Sequence, residues 1–99
     1  WMFEIRLGEQ GEIIMTGRLD AAQCDKALQF MDGILAPRVV DLAGLDYVSS
    51  AGLGVLLKTQ KRVMASGQGL RLVNANKHIR DIFKYAGFDR IFEIVPASG

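Results

Sequence analysis

Two adjacent hydroxyl side chains, Ser49 and Ser50, stand just before two glycines, Gly52 and Gly54, where a predicted buried strand leads into a predicted helix. Each glycine inside a helix costs about 1 kcal/mol relative to alanine, so the pattern needs a physical reason. One interpretation is that Ser50 caps the helix and the glycines allow tight packing of the helix on a sheet. The other is that a second molecule approaches the backbone closely at this point.

Most sites that would catalyse a reaction are excluded by the residue spacing. A dinucleotide-binding fingerprint needs a third glycine where this chain has Leu57, and no lysine follows a glycine loop as in a P-loop. A nucleophile elbow would need a glycine two residues before Ser50, and none is there. Standard zinc sites are excluded because the chain has one histidine, His78, and one cysteine, Cys24. We expect His78 at the surface or in packing and Cys24 in the core.

Three acids, Asp20, Asp41 and Asp46, are the remaining candidates for chemistry around Ser50. Carboxylates at strand ends and helix caps are commonly structural, and Asp20 is predicted to cap a helix because its carboxylate can accept hydrogen bonds from first-turn amides. The sequence therefore predicts no catalytic residue, no metal, no cofactor and no enzymatic activity.

The hydrophobic pattern predicts the elements that must position these residues. Alternation of apolar and polar residues near the N-terminus, broken by a glycine turn, predicts an antiparallel hairpin. Helices are expected to begin at Asp20, Ser50 and Asn76, the last with an asparagine cap. The strands are predicted at residues 3–7, 12–16, 39–42, 70–74 and 91–95, and residues 44–50 are expected to form a loop.

The resulting order, β-β-α-β-α-β-α-β, predicts an α/β fold. Short helices between strands imply parallel crossovers, so we expect a mixed sheet of four or five strands with an antiparallel entry hairpin and surrounding helices. Residues 3–95 are predicted to form a single domain, and residues 96–99 a polar tail.

Composition narrows the functional classes. The chain has 99 residues with 12 Lys and Arg against 11 Asp and Glu, a net charge of +1, and so lacks the basic excess of nucleic-acid-binding domains. No apolar run approaches the roughly 20 residues that cross a bilayer. One cysteine cannot form an internal disulfide, which favours a reducing compartment. We therefore expect a cytoplasmic protein that neither binds nucleic acid directly nor inserts into a membrane.

Residues 39–56, VVDLAGLDYVSSAGLGVL, resemble the central signature of the STAS domain, a module of bacterial anti-sigma factor antagonists and of sulfate-transporter tails. Residues 17–21, GRLDA, resemble the upstream motif of that family. Residues 70–73, followed by Ile82-Phe83 and Gly87-Phe88, resemble its downstream strand, helix and closing turn. The resemblance covers residues 3–95 in the right order, and it implies a STAS-like fold.

The resemblance also implies a function. In the antagonists, a serine just before the Gly-Leu pair is phosphorylated by the anti-sigma factor, which is a serine kinase, and this position falls on Ser50. The implied partners are that kinase and a PP2C-type serine phosphatase. The chain departs from the common pattern at Ser49, where many members have Asp, and at Ala51, where many have Ser or Thr.

Separately from the resemblance, the second predicted strand ends near Asp20 and the third leads to Ser50, which places both at one edge of the sheet. We therefore predict that a partner binds a shared surface formed by Asp20, Ser49, Ser50, Ala51, Gly52 and Leu53.

Two other functions remain open at this point. The first is a STAS module that does not switch, acting as a scaffold or as an accessory subunit of a lipid-transport or other transporter complex, with Ser50 as a structural helix cap. The second is a small enzyme or ligand-binding domain, for which the sequence offers no supporting residues.

Overall fold

A computed structural model describes residues 2–36 and 38–97 of the chain. Its elements follow the predicted order and confirm the α/β class. One-turn 3-10 helices at Ala21–Gln23, Met64–Ser66 and Phe88–Arg90 adjoin the main elements. The main elements are β1 (Phe3–Leu7), β2 (Ile13–Leu19), α1 (Cys24–Asp32), β3 (Val39–Val48), α2 (Ser50–Val63), β4 (Arg71–Ala75), α3 (Lys77–Tyr85) and β5 (Glu93–Pro96).

The five strands form one mixed sheet in the spatial order β1-β2-β3-β4-β5. Strands β1 and β2 pair antiparallel, as the predicted hairpin requires, and every later pair is parallel. In the parallel part, the carboxyl ends of neighbouring strands lie at one edge of the sheet. That edge carries the start of α2.

The three helices cover one face of the sheet. Along β2, Ile13, Met15 and Leu19 are fully buried, whereas Ile14 and Thr16 between them are only partly buried. Sequential parallel strands joined by right-handed crossovers place each connecting helix on the same face, which explains the arrangement. The helices expected around the sheet thus share one face, and the other face is open to solvent.

Strand β3 is longer than predicted, because the expected loop at residues 44–50 is strand as far as Val48. Two register shifts separate β3 from β2, one between Ile14 and Thr16 and one between Gly17 and Arg18. At each shift β3 contributes one residue more than β2, as in a β-bulge. The two bulges break the simple alternation, so the pattern resembles a loop although Leu45 and Val48 are buried.

Polar side chains tie α2 to its neighbours. The buried Gln60 donates from Nε2 to the carbonyl oxygen of Ile91 at 2.8 Å and accepts at Oε1 from the backbone amide of Leu70 at 2.6 Å. Arg62 donates to the carbonyls of Met31 and Ile34 and so satisfies the C-terminal end of α1. These contacts hold the amino ends of β4 and β5 and the end of α1 against α2.

The remaining helix agrees with the pattern, whereas the last strand covers Glu93–Pro96 and not the predicted residues 91–95. The Asn76 side chain caps α3 by accepting from the amide of Ile79 at 2.9 Å, as predicted. Strand β5 includes Pro96, which pairs with Ala75, so the strand extends one residue into the predicted polar tail. Residues 98 and 99 of that tail lie outside the described residues. Across the described ranges, the helices are all too short or too polar to traverse a bilayer.

Candidate functional site

The carboxyl ends of β2 and β3 meet the first turn of α2 at one edge of the sheet. Leu19 pairs with Val48 at the ends of the two strands, and the backbone amide of Ser49 donates to the carbonyl oxygen of Leu19 at 2.9 Å. This contact brings the end of β2, which leads into Asp20, next to the Ser49–Ser50 pair. The two separate sequence motifs thus lie at the same edge.

The cap of α2 is Ser49 and not Ser50. Ser49 has extended backbone angles, and its Oγ accepts a hydrogen bond from the amide of Gly52 at 3.1 Å. The expectation that Ser50 caps the helix is therefore wrong by one residue. The physical reason is the edge contact itself, because the Ser49 amide bonds to Leu19 and fixes Ser49 outside the helix.

Ser50 is the first residue of α2, and it is exposed. The first helical hydrogen bond runs from Leu53 to the carbonyl of Ser49 at 2.9 Å. The amides of Ser50 and Ala51 therefore have no partner within the helix, as at any helix start. A negatively charged group on Ser50 would lie near these amides and the positive end of the helix dipole, and the first turn of α2 contains no acidic residue.

The two glycines of the signature differ sharply. A Cβ atom on Gly52 would lie 2.7 Å from the carbonyl oxygen of Leu19, whereas a Cβ on Gly54 would meet no atom within 4 Å apart from the neighbouring backbone of its own helix. Close packing of the helix on the strands is thus confirmed for Gly52 alone. Gly52 is buried, and whether it contacts a partner stays a prediction. It allows the close approach that presents its exposed neighbours.

Asp20 lies at the start of the Ala21–Gln23 turn, but its carboxylate does not cap that turn. Its Oδ1 atom is buried and accepts no hydrogen bond from the described residues. The expectation of a side-chain cap is therefore wrong, because the carboxylate of Asp20 is not bonded to the first-turn amides.

The other two predicted contact residues have different environments. Ala51 is exposed beside Ser50, whereas Leu53 is half-buried and packs against the core. The exposed surface therefore centres on Ser50 and Ala51, with Asp20, Ser49 and Leu53 partly accessible around them. Whether these residues bind a partner stays a prediction.

Within the described residues, the other candidates for chemistry form no hydrogen bond with Ser49 or Ser50. His78 is exposed on α3, and Asp41 accepts from the amide of Ala43 at 3.0 Å. Cys24 is half-buried against the core, and its pKa is raised by burial and by the nearby carboxylates of Asp20 and Asp25. Within residues 2–36 and 38–97, no three His, Cys, Asp or Glu side chains are grouped so as to hold a metal ion.

Sequence reasoning missed one pair at this edge. The guanidinium carbon of Arg18 lies 4.3 Å from the centroid of the Tyr47 ring, and the two residues are register partners on β2 and β3. The alternation of the strand ends could have indicated the pair, because Leu19 and Val48 both point into the core. Their preceding residues must then point to the opposite face.

Comparisons with known proteins agree with this fold. The family model described as "Mlab, STAS domain" matches residues 4–96. BtrV of Bordetella bronchiseptica, named as a candidate anti-sigma factor antagonist, is 38% identical over 74 residues. That match covers 75% of this chain and 58% of the relative, so the chain spans less than two thirds of the relative's length.

Solved structures of anti-sigma factor antagonists have the same fold at low sequence identity. A candidate antagonist from Thermotoga maritima has a TM-score of 0.75 at 18% identity, covering 94% of this chain and 85% of that chain. An antagonist from Mycobacterium paratuberculosis has a TM-score of 0.76 at 18% identity, covering 96% and 85%. The phosphorylated form of SpoIIAA from Bacillus has a TM-score of 0.67 at 16% identity, covering 94% and 90%. Because the family model matches residues 4–96 and the fold agrees with it, the chain belongs to the STAS domain family.

Proposed function

We propose that this protein is an anti-sigma factor antagonist that is switched by phosphorylation of Ser50. The unphosphorylated protein binds an anti-sigma factor that is also a serine kinase, and the phosphorylated protein is released. A PP2C-type serine phosphatase then restores the binding form. The names of the curated relative and of the structural neighbours support the antagonist class.

The observation that carries the proposal is the different environment of the two serine hydroxyls. The Ser49 hydroxyl is engaged as the cap of α2, whereas Ser50 is exposed at the first helical position. A kinase needs a hydroxyl that it can reach without unfolding the acceptor, and Ser50 meets this need. The free amides beside Ser50 allow the folded domain to carry the phosphate.

The phosphate would act on the interface and leave the fold in place. It adds about −1.5 to −2 charges and three acceptor oxygens. Burying that charge against a partner without a basic group costs several kcal/mol. Even about 3 kcal/mol corresponds to a binding constant weaker by roughly a hundredfold.

The chain itself supplies no phosphoryl-transfer machinery in this proposal, so it is a binding module and not an enzyme. A neutral serine hydroxyl is a poor nucleophile, and the partner must supply the base, Mg²⁺ and ATP. Asp41 and Asp46 have no assigned role in the transfer.

The test is a reaction of the purified protein with the anti-sigma factor kinase encoded in the same genome, Mg²⁺ and ATP. Intact mass is expected to rise by one phosphate, and peptide mapping is expected to place it on Ser50. Ser50→Ala is expected to abolish the mass increase while binding of the kinase persists. Ser49→Ala is the matched control, since it removes the neighbouring hydroxyl and is expected to keep the phosphorylation. Phosphate on another residue, or none, would contradict the proposal.

A second candidate function is a scaffold or accessory subunit that uses the same edge without a switch. The description of the matching family model, "Mlab, STAS domain", differs from that of the named antagonists and favours keeping this candidate. Under it, a partner binds the edge but is not a kinase, and Ser50→Asp leaves its affinity unchanged. Under the proposed switch, Ser50→Asp weakens binding because it places a charge in the interface.

A further inference from the structure

The edge of the sheet that carries Ser49 and Ser50 also carries a positively charged side chain, Arg18, to which no role has been assigned. Arg18 is exposed near the end of β2, and its guanidinium lies 4.3 Å from the centroid of the half-buried Tyr47 ring. A cation–π contact of this kind attracts the guanidinium to the face of the ring and so favours this position of the arginine side chain. Arg18 is therefore presented beside Tyr47 on the open face of the sheet.

The hydrogen-bonding capacity of Arg18 is unused. In the described part of the chain, Arg18 forms no salt bridge, whereas Arg71 is paired with Glu93 at 2.8 Å. Other arginines are engaged by backbone carbonyls, as Arg38 is by Gly11 at 2.9 Å and Arg62 is by Met31. A ring that contacts the face of a guanidinium leaves the N–H groups at the edge of the guanidinium free to donate hydrogen bonds.

The position of Arg18 links it to the proposed switch. Arg18 directly precedes Leu19, whose carbonyl accepts the Ser49 amide, and Tyr47 lies three residues before Ser50. A partner that covers Ser50 and Ala51 and extends past the ends of β2 and β3 would meet Arg18 on the open face. An interface core commonly contains arginine and tyrosine as its strongest contacts.

We propose that Arg18, held on Tyr47, is a specificity-determining contact that binds a carboxylate side chain of the partner. A guanidinium binds a carboxylate through two parallel N–H donors, which fixes orientation as well as adding affinity. The prior placement by Tyr47 reduces the ordering cost on binding. This inference rests on the proposed function and adds to it that the partner presents an acidic residue beside the surface that meets Ser50.

The test measures dissociation constants for the anti-sigma factor identified by the phosphorylation experiment. Arg18→Ala is expected to weaken binding by tenfold or more, and Arg18→Glu by more than Arg18→Ala. Arg6→Ala is the matched control, because Arg6 is also exposed and lies on the same face beside Ile14, away from the edge. It removes the same charge and is expected to change binding by less than twofold. Melting temperatures are expected to stay close to that of the unmodified protein, since Arg18 is exposed.

A charge exchange identifies the partner group. Replacing one acidic residue of the partner by arginine is expected to restore binding of Arg18→Glu while weakening binding of the unmodified chain. The inference is overturned if Arg18→Ala binds the partner as tightly as Arg6→Ala does. It is also overturned if no replacement of an acidic partner residue by arginine restores the binding of Arg18→Glu. In either case a loss of binding by Ser50→Asp would leave the proposed function standing. If Ser50→Asp has no effect as well, the proposed switch falls and this inference with it.

Discussion

The two ends of the parallel strands are built differently. At the carboxyl end, small side chains around Ser50 and the glycine contact at Gly52 present an exposed helix start. At the amino end, two cavities of about 420 and 310 Å³ lie on either side of Arg38, and the Gln60 amide holds the starts of β4 and β5. The signature thus forms an exposed helix start at one end of the strands, whereas these two cavities lie at the other end. The opposite end maintains the packing of α2.

The largest combined effect, on stability and on partner affinity together, is expected from Gly52→Ala. Its Cβ would lie 2.7 Å from the Leu19 carbonyl oxygen, so α2 or the end of β2 must move. Overpacking of this kind costs about 1–3 kcal/mol, and the movement would also disturb the Ser50 surface. Urea unfolding and partner affinity are both expected to show the loss.

Gly54→Ala is the matched control for Gly52→Ala. It places a methyl group where no atom lies within 4 Å apart from the neighbouring backbone of its own helix. Removal of a glycine from a helix interior is expected to raise the free energy of unfolding by up to about 1 kcal/mol. Equal effects of the two substitutions would show that close packing at Gly52 does not shape this edge.

Gln60→Met tests the opposite end of the sheet. It keeps the side-chain volume but leaves the buried Leu70 amide and the Ile91 carbonyl without their partners. Each lost partner costs about 1–3 kcal/mol, so we expect a loss of about 2–6 kcal/mol in the free energy of unfolding. Partner affinity, measured under conditions where the variant is folded, is expected to stay unchanged. A weakened affinity would break the proposed separation of the two ends.

Ser49→Ala and Ser50→Ala separate the cap from the exposed hydroxyl. Ser49→Ala removes the acceptor for the Gly52 amide and is expected to lower the free energy of unfolding by about 0.5–2 kcal/mol. Ser50→Ala is expected to change it by less than about 0.5 kcal/mol, because the Ser50 side chain is exposed. Thermal unfolding of both variants checks this, and the reverse order of effects would assign the cap to Ser50.

The smallest expected effect is on the pKa of Asp81, which pairs with Lys77 on the surface of α3. The hydrogen bond from Lys77 to Asp81, at 2.9 Å, holds the pKa of Asp81 below its ordinary value of 3.8. Because the folded pKa is depressed, the stabilising contribution is complete above the unfolded pKa and is lost as the pH falls through the folded pKa. An NMR titration of the Asp81 carboxyl is expected to give a higher pKa in Lys77→Ala. Unchanged values would mean that the pair does not form in solution.

The fold was largely predictable from the sequence because most elements follow simple periods. Gln60 is buried on α2, and a hydrophobic pattern could not indicate that both ends of its amide are bonded to the backbone. Strand β3 was predicted too short, since its two bulges shift the alternation and only the pairing with β2 reveals them.

The candidate site was predictable as a segment but not in its details. Ser49 and Ser50 have the same side chain, so their order alone cannot decide which one caps α2. The decision comes from a tertiary contact, the bond from the Ser49 amide to Leu19. The different surroundings of Gly52 and Gly54 likewise depend on the strands beneath the helix.

The most direct test of the central claim compares the unphosphorylated protein with the protein phosphorylated at Ser50. Isothermal titration calorimetry would give the dissociation constant of each form for the same anti-sigma factor, with the phosphatase-treated protein as the control for reversal. We expect the phosphorylated form to bind at least about a hundredfold more weakly, with affinity restored by the phosphatase. Equal affinities of the two forms would contradict a switch at Ser50.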